Sequence, residues 1–219
     1  MLGARSSWIA GAGFTVGMCG VLVLGLFHVK IDLYPSSEKL LPRPYAMVCS
    51  GTVSEHCDID LTQEIKGAFQ YRELMQKLRD AGSVDDITIH LMGYGGDAMT
   101  MIQLINTIKD SKATVTMSVE GPVYSAHTML AMSGDKLVIK PGVMFMFHDV
   151  QVGKGGTPYD DPDPGMQATI ALFHEVMINV AGDYLTTEEL STIFSGGEVY
   201  ISGEDMASRW STDHDTSNS

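Results

Sequence analysis

Positive charge is scarce in this chain. It has 14 Lys+Arg against 27 Asp+Glu, for a formal net charge of −13. Arg5 and Lys30 are the only charged residues among the first 30, so that segment is +2 and the remaining 189 residues carry −15. Binding to a phosphate backbone depends on Lys and Arg releasing counterions, so an acidic domain of this kind excludes nucleic acid as a partner. Cysteine is also rare. Cys19, Cys49 and Cys57 contain no CxxC pair, which excludes a thiolate zinc site. No internal repeat is visible. Low hydrophobicity is not among the shortages: 44% of the residues are apolar, enough to exclude disorder for most of the chain. The length of 219 residues suits one globular domain and a smaller segment.

The smaller segment comes first. Trp8 to Phe27 is twenty residues without a charge, and twenty helical residues rise about 30 Å, the thickness of a bilayer core. A cleavable signal peptide would have a shorter apolar run ending in a small-x-small site. This run ends Leu26-Phe27-His28-Val29-Lys30 instead. Residues 1–30 are therefore expected to form a membrane anchor with a single transmembrane helix over 8–27. Arg5 precedes the span, while Lys30, Lys39 and Arg43 follow it. That balance leans toward a cytoplasmic location for the domain that follows. Residues 31–45 contain three prolines and read as a tether. Cys49 and Cys57 are expected as free thiols in the cytoplasm, or as a disulfide if the domain is exported.

Beyond the tether, strand and helix patterns alternate. Ala46–Val53 reads as a strand. Asp60, with Gln63 three residues on, resembles a capping box opening a helix to Asp80. Ile87–Leu91 is a short strand, followed by the Gly93-Tyr94-Gly95-Gly96 turn and a helix over 98–109 with apolar residues at helical spacing. Ala113–Val119 is a strand broken by Gly121-Pro122, and a short helix runs to Ser133. Strands at 136–139 and 143–147 precede a Gly-, Asp- and Pro-rich loop. A long helix over 166–184, a short one over 187–194 and a last strand-helix unit complete the domain, 46–210. The polar tail 211–219 is expected to be disordered. Repeated strand-helix units imply an α/β fold with a largely parallel sheet. Ligands of such sheets bind at the carboxyl ends of the strands.

Several chemically capable residues fall at those ends. Ser125 follows a strand and opens a helix, where backbone N–H groups are unsatisfied and favour developing negative charge. By itself it reads most simply as a helix N-cap. Gly95 and Gly96 close another strand and let backbone amides approach a substrate oxygen. His148 ends the apolar strand Val143–Phe147, where it can meet a neighbouring loop. His127, two residues past Ser125, points away from it at helical spacing. His90 and His174 read as structural.

Taken in this order, the segments LMGYGGDA (91–98), EGPVYSAHTMLAMSGD (120–135) and MFMFHDVQVGKGG (144–156) resemble the Clp protease proteolytic subunit family, within the Clp/crotonase superfamily. The resemblance spans about 46–210 and leaves out the anchor and tether. It implies repeated ββα units and a serine endopeptidase that needs neither cofactor nor metal. Ser125 would be the nucleophile, His148 the general base, and the N–H groups of Gly96 and Ala126 the oxyanion hole. The family pattern places an Asp between the long helix and the last strand, where this chain has Phe194-Ser195-Gly196-Gly197. Glu198 is the nearest carboxylate, with Asp183 and Glu188 as alternatives. Gly93-Tyr94 stands where the family has Ser-Pro, and Pro122-Val123-Tyr124 replaces small residues before the serine. The resemblance further implies a homo-oligomeric ring, a peptide or unfolded-protein substrate and an ATPase unfoldase partner. Two other readings compete: a catalytically silent scaffold, and a signal-peptide-peptidase-A-like Ser-Lys enzyme with Lys136 or Lys140 as the base.

Overall fold

A computed structural model describes residues 21–24, 27–30, 43–151 and 164–216. The chain separates into two units, Met1–Pro42 and Arg43–Ser219. In the first unit, β1 (Val21–Leu24) and β2 (Phe27–Lys30) form an antiparallel pair with Val21 opposite Lys30. This differs from the helix expected through Phe27. The β-branched Val21 and Val23 suit extended backbone. Residues 8–20 and most of the tether lie outside the described residues. Among the described residues, no helix is long and apolar enough to cross a membrane.

The second unit is built on a seven-stranded sheet in the order β3-β4-β5-β6-β8-β9, with β7 also paired to β6. Its strands are β3 (Ala46–Ser50), β4 (His56–Leu61), β5 (Asp86–Gly93), β6 (Thr114–Tyr124), β7 (Lys136–Ile139), β8 (Met144–His148) and β9 (Glu198–Ser202). The interior strands run parallel, while the edge strands β3 and β9 are antiparallel to their neighbours. The expected α/β architecture is thus present, with antiparallel edges.

Alternation along β4 and β5 separates two faces. Cys57, Ile59 and Leu61 on β4, and Ile87, Ile89 and Leu91 on β5, are buried. They meet α1 (Arg72–Asp80) and α2 (Ala98–Lys109) in one core through Leu74, Leu78, Leu104 and Ile108. Fully burying such a side chain contributes roughly 1.5–3 kcal/mol. The alternate residues of β4 and β5 form a polar face. There His90 bonds Glu120 at 2.8 Å and Asp58 at 3.2 Å.

Three elements differ from the sequence expectations. Asp60 lies in β4 rather than at a helix N-terminus, because the buried-exposed alternation of HCDIDL has a strand period; the helix begins only at Arg72, after a 3-10 turn over Ala68–Tyr71. Strand β6 runs through Gly121-Pro122 instead of ending at Val119. It changes partners there, pairing β7 over Thr116–Val119 and β8 at Val123–Tyr124, so the missing Pro122 N–H falls where the ladder is being exchanged. Helix α6 (Gly203–Thr216) carries the polar tail further than expected.

The C-terminal elements are tied together by charge. Thr186 and Glu189 form a capping box at the start of α5 (Thr187–Phe194). Arg209 on α6 grips the same Glu189 carboxylate with two bonds, at 2.8 and 3.0 Å, and donates to the Tyr184 carbonyl. The side-chain bond from Arg209 holds the Glu189 pKa below its usual value.

Cys49 and Cys57 are joined in a disulfide, with Cα atoms 4.1 Å apart. They stand directly opposite each other in the β3–β4 register. This corrects the expectation of free thiols.

Candidate active site

Ser125 sits between β6 and α3 (Ala126–Ala131). Its φ of 57° and ψ of −122° make it the only non-glycine residue with positive φ among the described residues. Such backbone costs of order 1–3 kcal/mol and is found where the surrounding structure enforces it. Here the Ser125 N–H donates to the Met146 carbonyl at 2.9 Å, and its own carbonyl accepts from Met129. The Thr128 hydroxyl bonds both the Val123 and Met146 carbonyls. These contacts pin the serine elbow to β8. The side chain makes no N-cap bond, so the simplest sequence reading, an ordinary cap, is not what the hydroxyl does.

The glycine turn lies beside the serine. Gly95 has φ of 103°, and a Cβ there would stand 2.8 Å from Ser125 Cβ and 3.1 Å from its Oγ. No other residue fits at this approach. The turn is held from the far side by Ile65. The Ile65 N–H donates to the Gly95 carbonyl at 2.9 Å, and the Asp97 N–H donates to the Ile65 carbonyl at 2.8 Å. This pairing leaves the Gly96 N–H outside the bonds that hold the turn. Ala126, the first residue of α3, likewise has an N–H without a partner inside its helix.

His148 ends β8, two positions beyond the Met146 carbonyl that holds Ser125. Ser125, His148, Gly96 and Ala126 all line one open cleft of about 620 Å³. Its walls are rich in methionine and phenylalanine. Met99, Met101, Met129, Phe147, Phe173 and Met177 contribute, the last two from α4 (Pro164–Ala181). Glu64, Asp97 and Asp149 add acidic groups, and among the described residues no Lys or Arg lines the cleft. The cleft can therefore receive an extended chain with apolar side chains.

The carboxylates take different positions. Glu198 is directly opposite His148 in the antiparallel β8–β9 register, and opposed residues share a face of the sheet. Its Oε2 accepts the Tyr200 hydroxyl at 2.7 Å. The ring of His148 has no hydrogen-bond partner among the described residues. Asp183 and Glu188 are exposed. Phe194 stacks on His174 with ring centroids 4.1 Å apart, and His174 bonds Asp149 at 2.9 Å. Lys136 and Lys140 are exposed and do not line the cleft.

His127, set aside on helical spacing, does not face Ser125 but reaches the glycine turn. The Gly95 N–H donates to its Nδ1 at 2.9 Å. No local pattern announces a contact between residues 32 apart in the chain. For metals, the donor atoms of Cys49, Glu55 and Cys57 lie within 4.8 Å of one another, but the joined sulfurs offer no thiolate.

Comparison with known proteins bears on the family of the chain. A family model described as Clp protease matches residues 45–169. No curated protein matches the chain.

Proposed function

Because the chain belongs to the Clp protease family, we propose that it is a serine endopeptidase with Ser125 as nucleophile and His148 as general base. The observation that carries this reading is the strained Ser125 elbow, facing a cleft shared with His148 and with Gly96 and Ala126, whose N–H groups make no backbone bond in the turn among the described residues. Ser125 Oγ attacks the carbonyl carbon of the scissile peptide while His148 takes its proton. The N–H groups of Gly96 and Ala126 receive the oxyanion. Losing one such donor typically costs about 3–4 kcal/mol of transition-state stabilisation. His148 then protonates the leaving amine, and a water molecule hydrolyses the acyl-enzyme with the imidazole again acting as base. The β8–β9 register supports Glu198 as the acid that orients His148, once its carboxylate leaves the Tyr200 hydroxyl.

Family membership also supports a homo-oligomeric ring acting on peptides or unfolded protein, with an ATPase unfoldase supplying the substrate. The uncharged run over 8–27 supports a membrane tether. The Cys49–Cys57 disulfide fits an oxidising compartment, and favours placing the domain on the side opposite to the cytoplasmic one that the flanking basic residues suggest. Maleimide labelling of intact cells, with and without reductant, distinguishes the two sides.

A fluorophosphonate probe tests the chemistry. Wild-type protein should label and Ser125→Ala should not; absence of labelling in assembled wild-type protein would refute the peptidase reading. A catalytically silent scaffold is the second reading, favoured by one observation: among the described residues no acid bonds the His148 ring, the nearest candidate, Glu198, being engaged by the Tyr200 hydroxyl. The Ser-Lys alternative has little support from exposed Lys136 and Lys140.

A further inference from the structure

The catalytic steps above leave a buried imidazole unused. His127 on α3 is 0% exposed. Its Nδ1 accepts the Gly95 N–H, so the ring proton resides on Nε2. That nitrogen finds no partner at full hydrogen-bond geometry. Burial depresses the pKa to about 4, against the opposing pull of the Leu61 and Gln63 backbone. The imidazole is consequently neutral near pH 7, the state needed to accept from an amide.

The packing around the ring is equally specific. A Cβ on Gly93 would lie 2.5 Å from His127 Cε1 and 2.7 Å from Nε2. Gly95 closes against Ser125 on the other side. Ring, turn and nucleophile thus form one packed unit. Gly95 is fixed at both ends, its N–H on His127 and its carbonyl on Ile65. In a trans peptide the next N–H points opposite to the carbonyl. Holding the Gly95 carbonyl on Ile65 therefore sets the direction of the Gly96 N–H, which borders the cleft.

We propose that His127 is a positioning residue that presets the oxyanion pocket, by anchoring the Gly95 amide so that the Gly96 N–H keeps its aim through the reaction. This rests on the serine-peptidase reading. It explains why a histidine occupies the helix bearing the nucleophile without touching the serine, and why position 93 is glycine.

Two variants separate positioning from mere filling of space. His127→Phe keeps a ring but removes the acceptor, and His127→Asn supplies an acceptor near the place of Nδ1. In folded protein, His127→Phe should lower kcat by about 10- to 100-fold with KM little changed, short of the loss expected for deleting a donor outright. His127→Asn should recover most of that loss. Amide exchange at Gly95 should accelerate in His127→Phe and not in His127→Asn. In wild-type protein, the ring ¹⁵N signals should show a neutral Nε2–H tautomer from pH 8 to pH 5. A folded His127→Phe with wild-type kcat overturns the proposal while leaving the peptidase reading intact. A wild type that cleaves no peptide refutes the peptidase reading, and with it any catalytic role for His127. The Gly95 exchange rates then still decide whether His127 holds the turn.

Discussion

Glu198 stands directly across the β8–β9 ladder from His148, while its carboxylate accepts the hydroxyl of Tyr200, two residues along the same strand. One acidic group therefore has two neighbours to choose between. If it orients the imidazole during turnover, Glu198→Gln should lower kcat/KM by on the order of 10²–10⁴, the range opened by losing the acid of such a triad. Tyr200→Phe should leave activity at or above the wild-type level, since it only frees the carboxylate. Steady-state peptide hydrolysis by the two variants tests this; full activity in Glu198→Gln would remove Glu198 from the mechanism and leave a Ser-His pair.

Glycine normally destabilises a fold relative to alanine through its extra unfolded-state freedom. At position 125 the order should invert. Ser125→Gly relaxes the positive φ, whereas Ser125→Ala retains the strain. Both variants should be inactive, and urea unfolding should find Ser125→Gly more stable than Ser125→Ala by about 1 kcal/mol.

Gly95→Ala places a methyl group against Ser125 and forces a left-handed backbone on a residue that rarely adopts it. The expected result is loss of fluorophosphonate labelling with the far-UV circular dichroism spectrum preserved. A labelled, active Gly95→Ala would show that the turn and the serine do not work at the separation seen here.

Stability should respond to pH through two histidines of opposite sign. His127 has a folded pKa of about 4, below the ordinary value near 6.5. The unfolded chain binds the extra proton between those values. The stability associated with neutral His127 is thus complete above pH 6.5 and is lost on acidification toward pH 4, by roughly 3 kcal/mol. His90 behaves in reverse. Burial acts to lower its pKa, but the bonds to Glu120 and Asp58 raise it above normal. Its contribution is present below pH 6.5 and is lost as pH rises through the folded value. Urea midpoints between pH 4.5 and 8 should therefore show a steep acid limb that His127→Phe flattens and a shallower alkaline decline that His90→Asn removes.

Reduction should weaken the β3 edge. The Cys49–Cys57 bond closes a loop with a sequence separation of 8, for which chain-entropy arguments give about 2–3 kcal/mol. A reductant, or Cys49→Ser with Cys57→Ser, should lower the melting temperature and expose the edge strand to proteolysis first. An unchanged melting temperature on reduction would contradict this.

Where a local period was long or a cap was unambiguous, residues announced their structure. Asp97 caps α2, its side chain accepting from the Thr100 N–H, and the apolar spacing that follows marks the helix over Ala98–Lys109. The placement of Ser125, His148 and the glycine turn was legible because all three follow or close apolar strands, and strand ends gather ligand-facing residues in parallel sheets. Strand β4 was not. Asp60 and Gln63 imitate a capping box, and only pairing with β3 and β5 shows the alternation to be that of a strand. That same misreading concealed the cross-strand position of Cys49 and Cys57. His127 was hidden for another reason: its partner is Gly95, and tertiary packing alone brings them together.

The backbone at Ser125 also sets a direction for drift over generations. Position 125 is the one described non-glycine residue held at positive φ, and glycine relieves that conformation most readily. If Ser125 is the nucleophile as proposed, the hydroxyl must be retained for as long as hydrolysis is selected, despite the strained backbone at this position. In a lineage released from that demand, stability alone would favour glycine. The side chain at this position therefore records whether selection for chemistry continues.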